Sequence, residues 1–253
     1  IQANNRFPAD FIYQNLMIQT NIIHAAFLSG VKKLIFFGSG CIYPRYAQQP
    51  IKEEYLMEGA LEETNAAFSI AKIAGIKMCE SYNKQYGTRY VTVMPTNLYG
   101  PCDSYDLETS HLLPALIRKA HEAKIRKDNT FIVWGDGSAL RDFLYVDDLA
   151  DACIMLLENE SSEGIYNIGT GVDYSSRALS ENVKSIVGFN GDIRFDLSKP
   201  NGVERKLLSV EKITALGWKP KIPLSEGILC AYQDFLDRYA ESCVIQGEMT
   251  YWL

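Results

Sequence analysis

Between residues 7 and 27 the apolar positions recur with the period of an α-helix. Ile12, Leu16, Ile23, Ala26 and Phe27 fall on one face, with Gln19 the polar exception in that row. Pro8 suits a first helical turn, and Ser29-Gly30 stops the run. Leu34-Ile35-Phe36-Phe37 is a short apolar run that ends in glycine and reads as a buried parallel strand. A polar loop follows at about 45–66, then a helix at about 67–86 closed by Gly87. Tyr90-Val91-Thr92-Val93-Met94 is a second buried strand, stopped by Pro95. Residues 111–124 read as a helix. Phe131-Ile132-Val133-Trp134 reads as a strand before the turn Gly135-Asp136-Gly137. A helix at 146–158 opens on Asp147 and Asp148, favourable charges at a helix N-terminus. Ile165-Tyr166-Asn167-Ile168, closed by Gly169, is a strand; a helix at 175–187, a strand at 193–195 and a helix at 224–239 complete the pattern. Apolar strands alternating with helices predict an α/β fold with a mainly parallel sheet. There is no internal repeat or low-complexity tract, and 244–253 read as a tail.

Composition narrows the partners. With 253 residues the chain is long enough for one large α/β domain or a domain with a smaller lobe, and 47% hydrophobic with 22% charged residues is ordinary for a globular protein. A net charge of −6 argues against a nucleic-acid surface, though not against a small anionic substrate held by local cations. The six cysteines, Cys41, Cys79, Cys102, Cys153, Cys230 and Cys243, form no CxxC pair, so a zinc site is not expected. Their scatter reads as reduced thiols in a cytoplasmic protein. No apolar run approaches the roughly 20 residues that span a membrane, and the N-terminus has no signal-peptide pattern.

Two clusters carry candidate chemistry. Gly38-Ser39-Gly40-Cys41-Ile42-Tyr43-Pro44 follows a strand directly, where parallel sheets hold their functional groups. A serine there can hydrogen-bond a carbonyl substrate; the plain alternative is a tight turn that needs glycines. In Phe68-Ser69-Ile70-Ala71-Lys72-Ile73-Ala74-Gly75, residues 68 and 72 share a helical face. Lys72 is either a lysine snorkelling at a helix edge or one held in a cofactor site.

Taken together, the clusters resemble the extended short-chain dehydrogenase/reductase family, whose signature is a strand-end serine followed by a Tyr-x-x-x-Lys helix. In that family a nearby ammonium lowers the phenol's pKa and makes it an effective proton donor and acceptor. The stretches PADFIYQNLMIQTNIIHAA, GSGCIYP, IAKIAGIKMCESYNKQYG, VMPTNLYGP, SHLLPALIRKAHEA, VWGDGSALRDFLYVDDLA and KPNGVERKLL are similar to its GDP-L-fucose synthase branch, from residue 1 to about 236. The resemblance implies a Rossmann-like fold. It implies an NADPH-dependent epimerase/reductase that takes GDP-4-keto-6-deoxy-D-mannose to GDP-L-fucose by epimerising the carbons beside the ketone and then reducing it. Enzymes acting on GDP-6-deoxy-heptoses share these motifs.

By the same resemblance, Ser39 would donate to the substrate oxygen, and Cys41 and His111 would be the epimerisation base and acid. A thiolate–histidine pair supplies one group on each side of the acidified carbon. The plain reading of His111 is a helix-start histidine in solvent. Lys72 would bind the cofactor ribose, with Pro95, Asn97, Leu98 and His111 also lining the cofactor. Lys119, Trp134, Arg141, Lys199 and Arg205 would bind the GDP-sugar, arginine forks suiting phosphate oxygens. Residues 1–110 and about 131–170 would be the remainder of a dinucleotide-binding domain. About 111–130 and 171–243 would form the substrate lobe. A homodimer is implied through the helices at 9–27 and 67–86.

The sequence departs from that pattern in three places. Phe68 stands at the tyrosine position and has no proton to give; losing a positioned general acid commonly costs about 10²–10⁴-fold in rate. Gly40 stands where a second serine is usual. No Gly-x-x-Gly-x-x-Gly dinucleotide motif occurs in the chain; by resemblance it would lie upstream of Ile1, within two βα units of roughly 60–70 residues. The sheet is then expected to expose an edge. Two other readings follow: an epimerase without reductase activity, and a GDP-sugar-binding fragment or partner subunit without turnover.

Overall fold

The computed structural model describes residues 4, 6–107, 109–199 and 201–239; the tail at 244–253 and Cys243 lie outside them. The chain divides into two compact units. The first takes Ile1–Asn97, Asp147–Val172 and Lys206–Pro220, and the second takes Leu98–Val146, Asp173–Arg205 and Lys221–Leu253.

The first unit is built on a three-stranded parallel sheet in the order β1 (Lys33–Phe37), β2 (Arg89–Pro95), β6 (Gly164–Ile168). Val91, Thr92, Val93 and Met94 of the central β2 are buried in succession, as an unbroken apolar run at the middle of a parallel sheet requires. β1 lies at one edge of this sheet, and its last residue, Phe37, is exposed.

Helices α1 (Pro8–Leu28) and α2 (Ala66–Tyr86) pack on each other, and α2 also packs on β1, β2 and the 3-10 turn Gly40–Ile42. Gln19, the polar exception of the α1 stripe, is buried and donates from Nε2 to the Ala71 carbonyl of α2 at 2.5 Å. It is an interhelix hydrogen bond in an otherwise apolar seam. Gly87 ends α2 with φ +66°, a left-handed conformation that costs glycine nothing. Helix α4 (Val146–Glu158) and the short α6 (Glu211–Ala215) complete the described elements of this unit.

In the second unit β4 (Thr130–Trp134) pairs in parallel with β8 (Asp192–Asp196). A separate sheet runs β3 (Asn97–Tyr99), β5 (Leu140–Tyr145), β7 (Asp173–Ser175), with β9 (Arg205–Lys206) also on β5. The β5–β7 pairing is antiparallel. Helices α3 (Leu112–Arg126), α5 (Ser176–Val187) and α7 (Leu224–Arg238) close one core around Tyr99, Ile117, Phe131, Val183 and Phe235. The Ser175 side chain caps α5 by accepting from the Ala178 amide. Residues 131–146, grouped by sequence with the first unit, fall here in the second.

Candidate functional site

In the first unit the chemistry gathers where β1 ends. The Gly38 amide continues the sheet by donating to Val93 O at 2.9 Å, and the chain then turns sharply. Ser39 is extended, and its Oγ accepts from the Cys41 amide at 3.1 Å, while the Ile42 amide donates to Ser39 O at 3.1 Å. Both glycines sit close against neighbouring groups. A Cβ on Gly38 would lie 2.4 Å from Met94 Sδ, and one on Gly40 would lie 3.1 Å from Pro95 O. A second serine in place of Gly40 would therefore press on β2. The turn leaves Cys41 exposed and buries Ile42 and Tyr43.

Helix α2 brings Phe68 and Lys72 to the same region. Phe68 is half-buried and packs against the apolar core of this unit. The Lys72 ammonium lies 5.1 Å from the Phe36 ring centroid and 5.9 Å from that of Phe68. Burial pushes its pKa below the usual lysine value. Among the described residues no carboxylate or carbonyl accepts from it, so its three donors remain for a ligand. Ser39, Cys41, Phe68, Lys72 and Pro95 are thus brought together. Asn97 opens β3 after the half-buried Pro95 and Thr96.

The second unit holds the remaining candidates. His111 is the exposed N-cap residue of α3; its carbonyl accepts from the Ala115 amide, and its ring makes no capping bond. Leu98 sits mid-strand in β3, half-buried. Cys41 and His111 lie in different units.

Trp134, 48% exposed at the end of β4, has two ammonium groups over its ring, Lys119 at 5.0 Å and Lys199 at 5.3 Å. Lys119 also donates to Ile132 O at 3.2 Å, and burial lowers its pKa against the opposing pull of Asp196. Arg141, in β5, donates to Leu140 O at 2.7 Å. A Cβ on Gly202 would come within 3.5 Å of the Arg141 guanidinium. Arg205 is held by Asp173 at 2.5 Å in a partly exposed ion pair, so an anion reaching it must compete with a carboxylate.

Sequence reasoning passed over several residues that shape these sites. Asn201 accepts from the Asp136 amide at 2.7 Å, and Arg177 donates to Asp136 O at 3.2 Å. These contacts tie the Gly135-Asp136-Gly137 turn to the segment after β8. In the first unit, Glu53 and Asn167 bond to each other and, through Asn167, to Tyr43. Asn167 sat in an apparently uniform apolar strand, and its polar side chain was the available signal.

Comparison with known proteins gives the family. Residues 1–169 match the NAD dependent epimerase/dehydratase family, and the chain belongs to that family. Within it, the chain is similar to GDP-L-fucose synthase of Sinorhizobium fredii, 52% identical over 242 residues covering 96% of this chain and 77% of that protein. It is similar in structure to a GDP-D-glycero-L-gluco-heptose synthase from Campylobacter jejuni, solved in the presence of NADPH. That match has TM-score 0.83 and 43% identity and covers 93% of this chain and 79% of that one. A GDP-L-fucose synthetase from Naegleria fowleri bound to NADP matches with TM-score 0.87 at 31% identity over 92% of this chain and 75% of that one.

Proposed function

We propose that the chain binds a GDP-linked 4-keto-6-deoxy sugar and NADPH. Its ancestral reaction is then the epimerisation and reduction of GDP-4-keto-6-deoxy-D-mannose to GDP-L-fucose. The observation that carries this is the Ser39–Cys41 turn held against the helix that presents Lys72. Ser39 Oγ is placed to donate to the ketone oxygen, whose developing negative charge a hydroxyl stabilises. Cys41, exposed and acting as its thiolate, takes a proton from the carbon beside the ketone and becomes the thiol, and a protonated His111 gives one on the other face and becomes neutral. Lys72 offers its unclaimed ammonium to the ribose hydroxyls of the cofactor. NADPH, when bound, supplies the hydride. Pro95, Asn97 and Leu98 would line the cofactor. Lys119, Trp134 and Lys199 form a cationic platform with an aromatic face for the nucleotide diphosphate, flanked by Arg141 and Arg205. In this reading the first unit holds the cofactor and the second the GDP-sugar.

Phe68 favours a narrower activity for this chain. Reduction needs a proton at the ketone oxygen, and the ring beside Lys72 has none to deliver. The proton transfers assigned to Cys41 and His111 need no such donor. The chain is therefore an epimerase whose reductase step is slow. A GDP-6-deoxy-heptose is the alternative substrate, and a structural relative is a synthase of another GDP-heptose.

A second copy of the chain is the proposed partner. Tyr13, Met17, Ile18 and Ile22, exposed along α1, would be covered in a homodimer built on α1 and α2. Among the described residues no helix is long and apolar enough to cross a membrane, and the cytoplasm is the compartment that suits free cysteines.

The test is GDP-4-keto-6-deoxy-D-mannose incubated with the chain in heavy water. Deuterium should enter the carbons flanking the ketone. Absence of exchange, together with no GDP binding by calorimetry, would remove the sugar-nucleotide reading.

A further inference from the structure

The turn that carries Ser39 and Cys41 is pinned at both ends, and the pin at its far end is polar and buried. At the near end, Gly38 is in the sheet and Gly40 is pressed toward Pro95 O and the Leu208 side chain. At the far end Tyr43, two residues beyond Cys41 and 2% exposed, donates its hydroxyl to Asn167 Oδ1 at 2.7 Å.

Asn167 is wholly buried in β6, and its backbone amide, its side-chain nitrogen and its side-chain oxygen each make a hydrogen bond. Its Nδ2 donates to Ile51 O at 2.9 Å, and its backbone amide donates to Glu53 Oε1 at 2.9 Å. Ile51 O accepts in addition from the Ser209 amide at 2.7 Å. Residues 43 and 51–53 therefore meet on one asparagine that lies far from both in sequence. Burial and the Glu53 carboxylate push the Tyr43 phenol well above its usual pKa, so it stays a proton donor to Asn167.

We infer that Asn167 and Glu53 are positioning residues for the Ser39–Cys41 turn, acting through the Tyr43 hydroxyl. The inference rests on the roles proposed above for Ser39 and Cys41. Its physical content is that a buried, hydrogen-bonded network restricts the geometries open to the groups it joins. Without the phenol hydroxyl, Asn167 Oδ1 is left buried without that partner, and the far end of the turn keeps only the packing of Ile42 and the Tyr43 ring. Reactive groups need placement within about 0.5 Å, which supporting hydrogen bonds supply.

Tyr43→Phe keeps the ring and removes only the hydroxyl. The Cys41 and Ile42 amides, which bond within the turn, should then exchange with solvent deuterium about tenfold faster, while those of β2 do not change; tenfold matches the loss of one buried hydrogen bond. The rate constant for deuterium exchange into the GDP-keto sugar should fall about tenfold with KM unchanged, because orientation is lost and binding is not. Glu53→Ala removes the acceptor of the Asn167 amide and should shift both measurements in the same direction as Tyr43→Phe.

Parent-like amide exchange in Tyr43→Phe overturns the inference. So does faster amide exchange with an undiminished rate constant, which would make the network merely stabilising. A parent chain that exchanges no sugar protons overturns the catalytic reading, and with it the positioning role, even if the turn amides respond as expected.

Discussion

Gly75→Ala tests the seam that sets the Lys72 environment. In α2 this substitution alone would favour the helix by about 1 kcal/mol. The structure opposes that gain. A Cβ at Gly75 would lie 2.4 Å from Phe36 Cζ and 2.9 Å from both Cδ and Nε2 of Gln19. Carbon pairs rest at about 3.5–4.0 Å, so one neighbour must move by about 1 Å. Overpacking of a core costs about 1–3 kcal/mol. Gln19 is poorly able to yield: Nε2 is bonded to Ala71 O, and Oε1 is already buried without a partner. Breaking that bond adds about 1–3 kcal/mol. The net is a destabilisation of about 1–5 kcal/mol, read as a lower urea midpoint at unchanged slope. A midpoint at or above the parent's would refute the close-packed seam. Phe36 is also one of the two rings beside Lys72, so NADPH affinity should fall in the folded variant.

Further expectations concern single groups. At pH 8, iodoacetamide should label the exposed Cys41, Cys102 and Cys230 quickly, read by peptide mass spectrometry. Cys79, pushed by burial up to about 12, and Cys153, pushed to about 11, should react only on unfolding; equal rates at Cys79 would contradict its burial. Burial raises the Glu53 pKa above the ordinary carboxylate range, so the native state holds this proton more tightly than the unfolded one, and stability falls as pH rises from the ordinary value through the raised one. The stability gained by Glu53→Gln over the parent in urea should accordingly be larger at pH 7 than at pH 4; a difference independent of pH would contradict the shift. Asp173→Asn releases Arg205 from its partly exposed ion pair and should tighten GDP binding by up to about fivefold at low salt, the scale of such pairs. Unchanged or weaker binding by calorimetry would separate Arg205 from the diphosphate. Ile22→Glu on α1 should convert a dimer to monomers in sedimentation, and a dimer that persists would place the contact elsewhere.

The helices and the long buried strands were legible because their periodicities are strong. The α2 and α5 ends matched to within one residue, with Gly87 and Ser175 acting as the caps their residue types suggest. The short strands β3, β5, β7 and β9 were not legible. They hold two to six residues, and β5 runs straight into α4, so no turn signal separates them. Among candidate residues, Ser39, Cys41, Phe68 and Lys72 stood out because a glycine turn and an i, i+4 pair are local patterns. The Trp134 platform was reached by resemblance alone, since Lys119 and Lys199 are distant in sequence and meet only when β4 and β8 pair. The Tyr43–Asn167–Glu53 network left no spacing signal, for the same reason. Gln19 read as a blemish in an apolar stripe and instead makes a buried hydrogen bond from α1 to α2.

The central claim is that Phe68 removes a proton donor from an otherwise competent site. It is tested most directly by GDP-4-keto-6-deoxy-D-mannose-dependent NADPH oxidation, measured in parallel on this chain and on Phe68→Tyr, with NADPH binding followed by fluorescence. The expected result is equal NADPH binding in both, with oxidation about 10²–10⁴-fold faster in Phe68→Tyr. Oxidation no faster in Phe68→Tyr, with NADPH bound equally, would contradict the claim.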